Sequence, residues 1–166
     1  MTKSTLKEPS RLCRAGLIGI LSAAFFALGL GDEPFVDEYA YITQSYQPDL
    51  LFAGRADDAS WLDVLSYDLV PLPKYLINLA FRASGTPRPS RRDALAWYED
   101  TSYRWGSRTD LFIARLPSVM LGALGCMAVF SLGTLFQDAS AGIIAAFLMA
   151  ANPLYRLHAH RAMSEA

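Results

Sequence analysis

The chain reads as an all-α membrane protein with about three transmembrane helices and amphipathic interfacial helices in a long first outer loop. Three observations predict this. Residues 15–31 (AGLIGILSAAFFALGLG), 116–137 (LPSVMLGALGCMAVFSLGTLFQ) and 139–155 (ASAGIIAAFLMAANPLY) carry no charged side chain. These runs are rich in Gly, Ala and Ser, which suits close helix packing in lipid. Averages of 52% hydrophobic and 19% charged residues would fit one soluble domain, but the charges are confined to the stretches between the runs.

At about 1.5 Å per residue the second run covers roughly 33 Å, enough for a hydrocarbon core. The first and third reach about 26 Å each and need interfacial extension or local thinning. A cleaved signal peptide is the competing reading of the first run, with Ala27-Leu28-Gly29 as a small-x-small cleavage site. Residues 1–14 form a polar head, where Lys3, Lys7, Arg11 and Arg14 against Glu8 leave a net charge of +3. That places the N-terminus in the cytoplasm. Residues 32–115 hold 13 acidic and 9 basic side chains and fall outside. Arg156 and Arg161 on the outer side run against the positive-inside bias, and the first helix decides. Cys13 in the head and Cys126 in mid-membrane cannot pair.

The outer stretch is too long for a plain connector. A helix starts near Pro34 and ends at Pro48, with Phe35, Tyr39, Ile42 and Tyr46 on one apolar face. Asp37, Tyr41 and Gln44 lie on the other face, so this helix is expected to lie flat at the interface, aromatic side down. A second helix covers about 73–83 and stops at Gly85. Leu72, Leu76, Leu79 and Ala83 make its apolar stripe; Lys74, Asn78 and Arg82 make a polar one, with Asn78 and Arg82 read as solvated. Residues 86–110 are loop with one short helix, capped by Ser90 and Asp93. Arg88, Arg91 and Arg92 there suit lipid headgroups as one reading and solvated surface as the favoured one.

Two polar clusters carry the candidate chemistry. Asp37 and Glu38 follow the first run, and His158, His160, Arg161 and Glu165 follow the third. Two crossings separate them, so both emerge on one side. Adjacent helical carboxylates point about 100° apart and cannot share one task. Acidity in the first turn of a helix also stabilises its dipole, so the pair has a plain structural reading too. Arg161 at a membrane surface suits a phosphate, being always charged and able to bind through two nitrogens, and suits headgroup snorkelling equally.

Motif order adds a resemblance. A basic head and first helix precede Asp37-Glu38; then come Pro71-Leu72 with Lys74, Arg115-Leu116-Pro117, Asn152-Pro153 and Arg161-Ala162-Met163 with Glu165. This order resembles the N-terminal part of the type-C membrane glycosyltransferases, in the protein mannosyltransferase and aminoarabinose transferase group. Leu69 and Val70 stand where His and Pro are usual in that group, and Glu165 stands where Asp is commoner. The resemblance implies a longer, multi-pass enzyme of the bacterial inner membrane, of which this chain is a part inactive by itself. It implies sugar transfer, with inversion, from a polyprenyl-phosphate donor to a hydroxyl of a lipid, protein or glycan acceptor on the extracytoplasmic side. Asp37 would be the base, and Glu38 and Glu165 would join the catalytic centre, positioning the acceptor or holding a divalent cation, on which family members differ. Lys74 and Arg161 would bind the donor phosphate. Nothing in the chain suits nucleic acid. The alternative is a non-catalytic three-helix membrane subunit that docks a partner. A transporter fragment ranks last, because the runs contain no ionisable side chain.

Overall fold

The computed structural model describes residues 8–62 and 69–163, and every regular element among them is helical. The elements are α1 (Glu8–Ala27), α2 (Val36–Gln44), α3 (Gln47–Phe52), a 3-10 turn (Ala59–Leu62), α4 (Pro71–Ser84), α5 (Arg91–Glu99), α6 (Arg108–Phe136), α7 (Ala139–Ala151) and α8 (Pro153–Ala159). They divide between two compact units, one of Met1–Gly29 with Val119–His160 and one of Leu30–Ser118 with Arg161–Ala166.

In the first unit α1 begins at Glu8, so residues 8–14 of the expected head are helical. Arg11 donates to the carbonyl of Ser131 at 2.8 Å and to Thr134 Oγ1 at 3.3 Å. Both acceptors lie in the last turns of α6, where unpaired carbonyls favour a cation. The 29 residues of α6 extend about 43 Å. It is the one described helix long and apolar enough to cross a bilayer unaided. It starts at Arg108 rather than at the edge of the charge-free run, because residues 108–115 continue the helix with Ser107 and Asp110 tied at its start.

The third run is not one straight helix. The 13 residues of α7 reach only about 20 Å. The chain then bends by 72° into α8, and the pair makes a span only if taken together. Pro153 is the cause: it disfavours helical geometry at Asn152, which takes φ −63, ψ 123. The Asn152 side chain then caps α8 by accepting from the amides of Leu154 and Tyr155, each at 3.0 Å.

Helices α6 and α7 meet backbone to backbone. A Cβ on Gly142 would lie 2.6 Å from the carbonyl oxygen of Phe130, and one on Gly133 would lie 2.6 Å from the Cα of Gly142. Gly142→Ala is therefore expected to cost about 1–3 kcal/mol by forcing the helices apart. Denaturant titration of the purified protein checks this, and Gly16→Ala, where the Cβ meets nothing within 4 Å, is the control.

In the second unit α2 is packed on by α4 and α5, and α3 by α4. Its core joins Tyr41, Ile42, Phe81, Trp97, Leu111 and Met163. This corrects the flat interfacial placement of α2: Tyr41 and Gln44, expected on a solvated face, are as buried as Tyr39 and Ile42, because neighbours cover the helix on both sides. Pro34 precedes the helix, whose N-cap is Phe35. Pro48 does not end it either. The break falls at Ser45 and Tyr46, and Pro48 sits in the first turn of α3, where its missing N–H costs nothing.

The α4 boundaries match expectation, and Gly85 closes the helix at φ 70, a conformation that glycine adopts without Cβ strain. Its buried face is a mixed one, of Lys74, Ile77, Asn78 and Phe81. Lys74 and Asn78 are fully buried, whereas Leu72 and Leu79 are 58% and 57% exposed. Asn78 donates to the Ser45 carbonyl at 2.8 Å and to Asp49 Oδ1 at 2.9 Å. Arg82 donates to Asn78 Oδ1 at 2.9 Å and Asp49 Oδ1 at 2.6 Å, and Arg88 to Asp49 Oδ2 at 2.8 Å. Asn78 is thus buried rather than solvated, while Arg82 and Arg88 keep the exposure expected of them and share Asp49 with it. Burial of Asp49 opposes its ionisation, but the bonds from Asn78, Arg88 and Arg82 outweigh that and hold its pKa below the ordinary value. The Ser90–Asp93 capping box opens α5 as expected.

Candidate active site at the Asp37–Glu38 pair

The first turn of α2 sends its two carboxylates in different directions. Glu38 turns inward and is fully buried. Its Oε1 accepts from Arg115 Nε at 2.9 Å and from the Ala162 amide at 2.7 Å. Its Oε2 accepts from a terminal Arg115 nitrogen at 2.8 Å, from the Phe35 amide at 2.8 Å and from Arg161 at 3.3 Å. The other terminal nitrogen of Arg115 donates to the carbonyls of Leu30 and Asp32 at 2.7 and 2.9 Å. One carboxylate and one guanidinium thereby tie together the 30–35 link, α2, α6 and the segment after α8.

Burial by itself pushes the Glu38 carboxyl up. The hydrogen bonds from Arg115, Ala162 and Phe35 and the Arg115 charge outweigh that push and hold it below its ordinary 4.5. A lowered folded-state pKa contributes stability that is complete above the unfolded value and lost as pH falls through the folded one. Acid titration of the protein is expected to show loosening of this unit only below about pH 4.5, and Glu38→Gln is expected to remove that step.

Asp37 differs in every respect. It is half-buried, and it has no hydrogen bond or ion pair among the described residues. Arg161 lies against Glu38, with its guanidinium 5.5 Å from the centroid of the Phe35 ring. Lys74 is buried on α4, with Nζ 3.5 Å from Gln47 Oε1. Glu165 lies outside the described residues. Of the sequence-predicted set, then, Glu38 and Arg161 are in contact, Asp37 adjoins them along α2, and Lys74 sits on a helix packed against α2. His158 and His160 belong to the other unit.

Glu38, a candidate for holding an acceptor or a cation, has its oxygens engaged by protein donors. Among the described residues no group of three or more His, Cys, Asp or Glu side chains could hold a metal ion. Both Cys13 and Cys126 are free thiols.

Arg115 is the functional residue that motif matching undervalued. It marked only the start of a helix, yet it is fully buried and supplies four of the bonds above. The signal was present: an arginine bordering a long apolar run must find a partner or stay near water.

A polar cleft of about 360 Å³ lies in the same unit, lined by Asp32, Glu33, Tyr39, Arg104, Ser107 and Arg108 among others, but not by Asp37. It adjoins the Glu38 clamp through Asp32, and Arg108 closes one side by donating to the Gly31 carbonyl at 3.0 Å. No protein-family model, no curated protein and no solved structure matches the chain.

Proposed function

We propose that the chain is the N-terminal part of an integral membrane glycosyltransferase that moves a sugar, with inversion, from a polyprenyl-phosphate donor to an acceptor hydroxyl. The observation that carries the reading is the division of labour at the acidic pair. Glu38 is saturated by donors, and Asp37, one residue away, is an unengaged carboxylate at a partly open position. An acceptor hydroxyl needs a base within hydrogen-bond reach, and a carboxylate already bridged to arginines is a poor one. Asp37 is the group left for that task. The departing phosphate needs charge rather than a proton, and Arg161, oriented by Glu38, supplies a guanidinium suited to it. Lys74 is the second cation proposed for the donor.

The membrane reading rests on α6 and on the bent α7–α8 pair taken together. With the basic head in the cytoplasm, Asp37 and Arg161 lie outside, and the 3.3 Å contact of Arg161 with Glu38 favours one shared face for the two clusters. The bacterial inner membrane is the proposed location.

The test is transfer by the purified full-length protein in proteoliposomes, offered a labelled polyprenyl-phosphate sugar. Label should pass to an acceptor with the anomeric configuration inverted. Failure to consume any lipid-phosphate sugar would refute the reading. The saturated Glu38 clamp is also what a non-catalytic membrane subunit would need, and that reading predicts that Asp37 is dispensable.

A further inference from the structure

The outward face of α3 and α4 carries a stripe of large apolar side chains. Leu72, Leu76, Leu79 and Ala83 recur at spacings of four, three and four, so they form one stripe, and Leu72, Leu79 and Ala83 are exposed. Beside it α3 shows Leu51 and Phe52, 46% and 67% exposed. The inward side of the same pair is mixed: Leu50, Ile77 and Phe81 are buried there beside Gln47, Lys74 and Asn78. A surface helix in water gathers its large apolar side chains on one buried face, whereas here they lie on both faces. Clustered in this way, the exposed apolar side chains form a patch that gains from contact with an apolar phase.

Charge identifies the phase. The Arg82 guanidinium lies 4.2 Å from the centroid of the Phe52 ring, at the end of the stripe, and Arg88 joins it through Asp49. Two guanidiniums against one carboxylate leave positive charge there, and neither helix contains another acidic residue. An apolar face bordered by arginines whose stems lie on aromatic and aliphatic carbon matches the boundary between acyl chains and anionic headgroups.

We propose that the α3–α4 face is a docking surface for an anionic bilayer leaflet, with Leu72, Leu79 and Phe52 inserted and Arg82 and Arg88 at headgroup level. The inference needs the chain to sit at a membrane but needs no sugar transfer. Its outcome is therefore read separately from that of the proposed activity.

The experiment places an environment-sensitive fluorophore on Leu79→Cys, in a Cys13→Ser background that leaves the buried Cys126, and reconstitutes the chain in phosphatidylglycerol–phosphatidylethanolamine vesicles. The label should be quenched by lipid carrying a nitroxide high on its acyl chain. It should be about fivefold less sensitive to iodide than the same fluorophore on glutathione, as expected of side chains about 5–10 Å into the interface. Replacing the vesicles with pure phosphatidylcholine should weaken the nitroxide quenching. Full access to iodide would overturn the proposal in favour of a solvated face. Protection from both quenchers would overturn it in favour of a protein partner, and indifference to lipid charge would overturn its anionic part.

Discussion

Asp37→Asn is expected to lower sugar transfer by about 100- to 10,000-fold, the range that a positioned general base contributes. The substitution keeps the side-chain shape and removes the proton acceptor. Asp37 makes no hydrogen bond or ion pair among the described residues, so the change should cost no more than the about 0.3–1 kcal/mol of a first-turn carboxylate. The measurement is initial transfer rate at matched protein amount, beside a denaturation curve of the same preparation. Asp37→Glu should retain part of the rate, since it moves the base by one methylene without deleting it. Wild-type transfer by the asparagine variant would remove Asp37 from the mechanism.

Arg115→Met carries the largest expected cost to the fold. The substitution leaves Glu38 charged and fully buried without its two strongest donors, a circumstance that costs about 3–5 kcal/mol. It also frees the carbonyls of Leu30 and Asp32, which lead into α2. Arg115→Lys should not restore stability, because an ammonium lacks the planar fork that binds both oxygens of Glu38 while reaching two carbonyls. Glu38→Gln combined with Arg115→Met should cost less than the sum of the two changes, as residues of one network couple. Tryptophan fluorescence in a denaturant titration reads all three, since Trp97 lies in the core of this unit. A loss under about 1 kcal/mol for Arg115→Met would show that the clamp is not what holds the unit together.

These two variants separate the roles of the adjacent Asp37 and Glu38, the second through its partner Arg115, and that separation was only half visible in the sequence. Helical spacing showed that Asp37 and Glu38 point apart. It did not show which one turns inward, because that depends on α4, α5 and the start of α6 surrounding α2. Hydrophobic periodicity likewise found the stripes of α4 and its Gly85 stop, yet assigned the wrong stripe to the interior. The buried face of α4 runs between the two stripes: Ile77 and Phe81 face inward, and Lys74 and Asn78 join them because Gln47 and the Ser45 carbonyl supply polar partners.

Determined by the sequence itself were the local features: the apolar run within α6, the Ser90 cap and the Gly85 stop. Each follows from backbone chemistry or side-chain polarity within a few residues. The tertiary structure alone decided that Arg115 and Glu38 would meet across 77 positions, that Arg161 and the Ala162 amide would join them, and that Asp37 would be left unengaged. Such pairings depend on which elements pack together, and a one-dimensional pattern of polarity does not encode that choice.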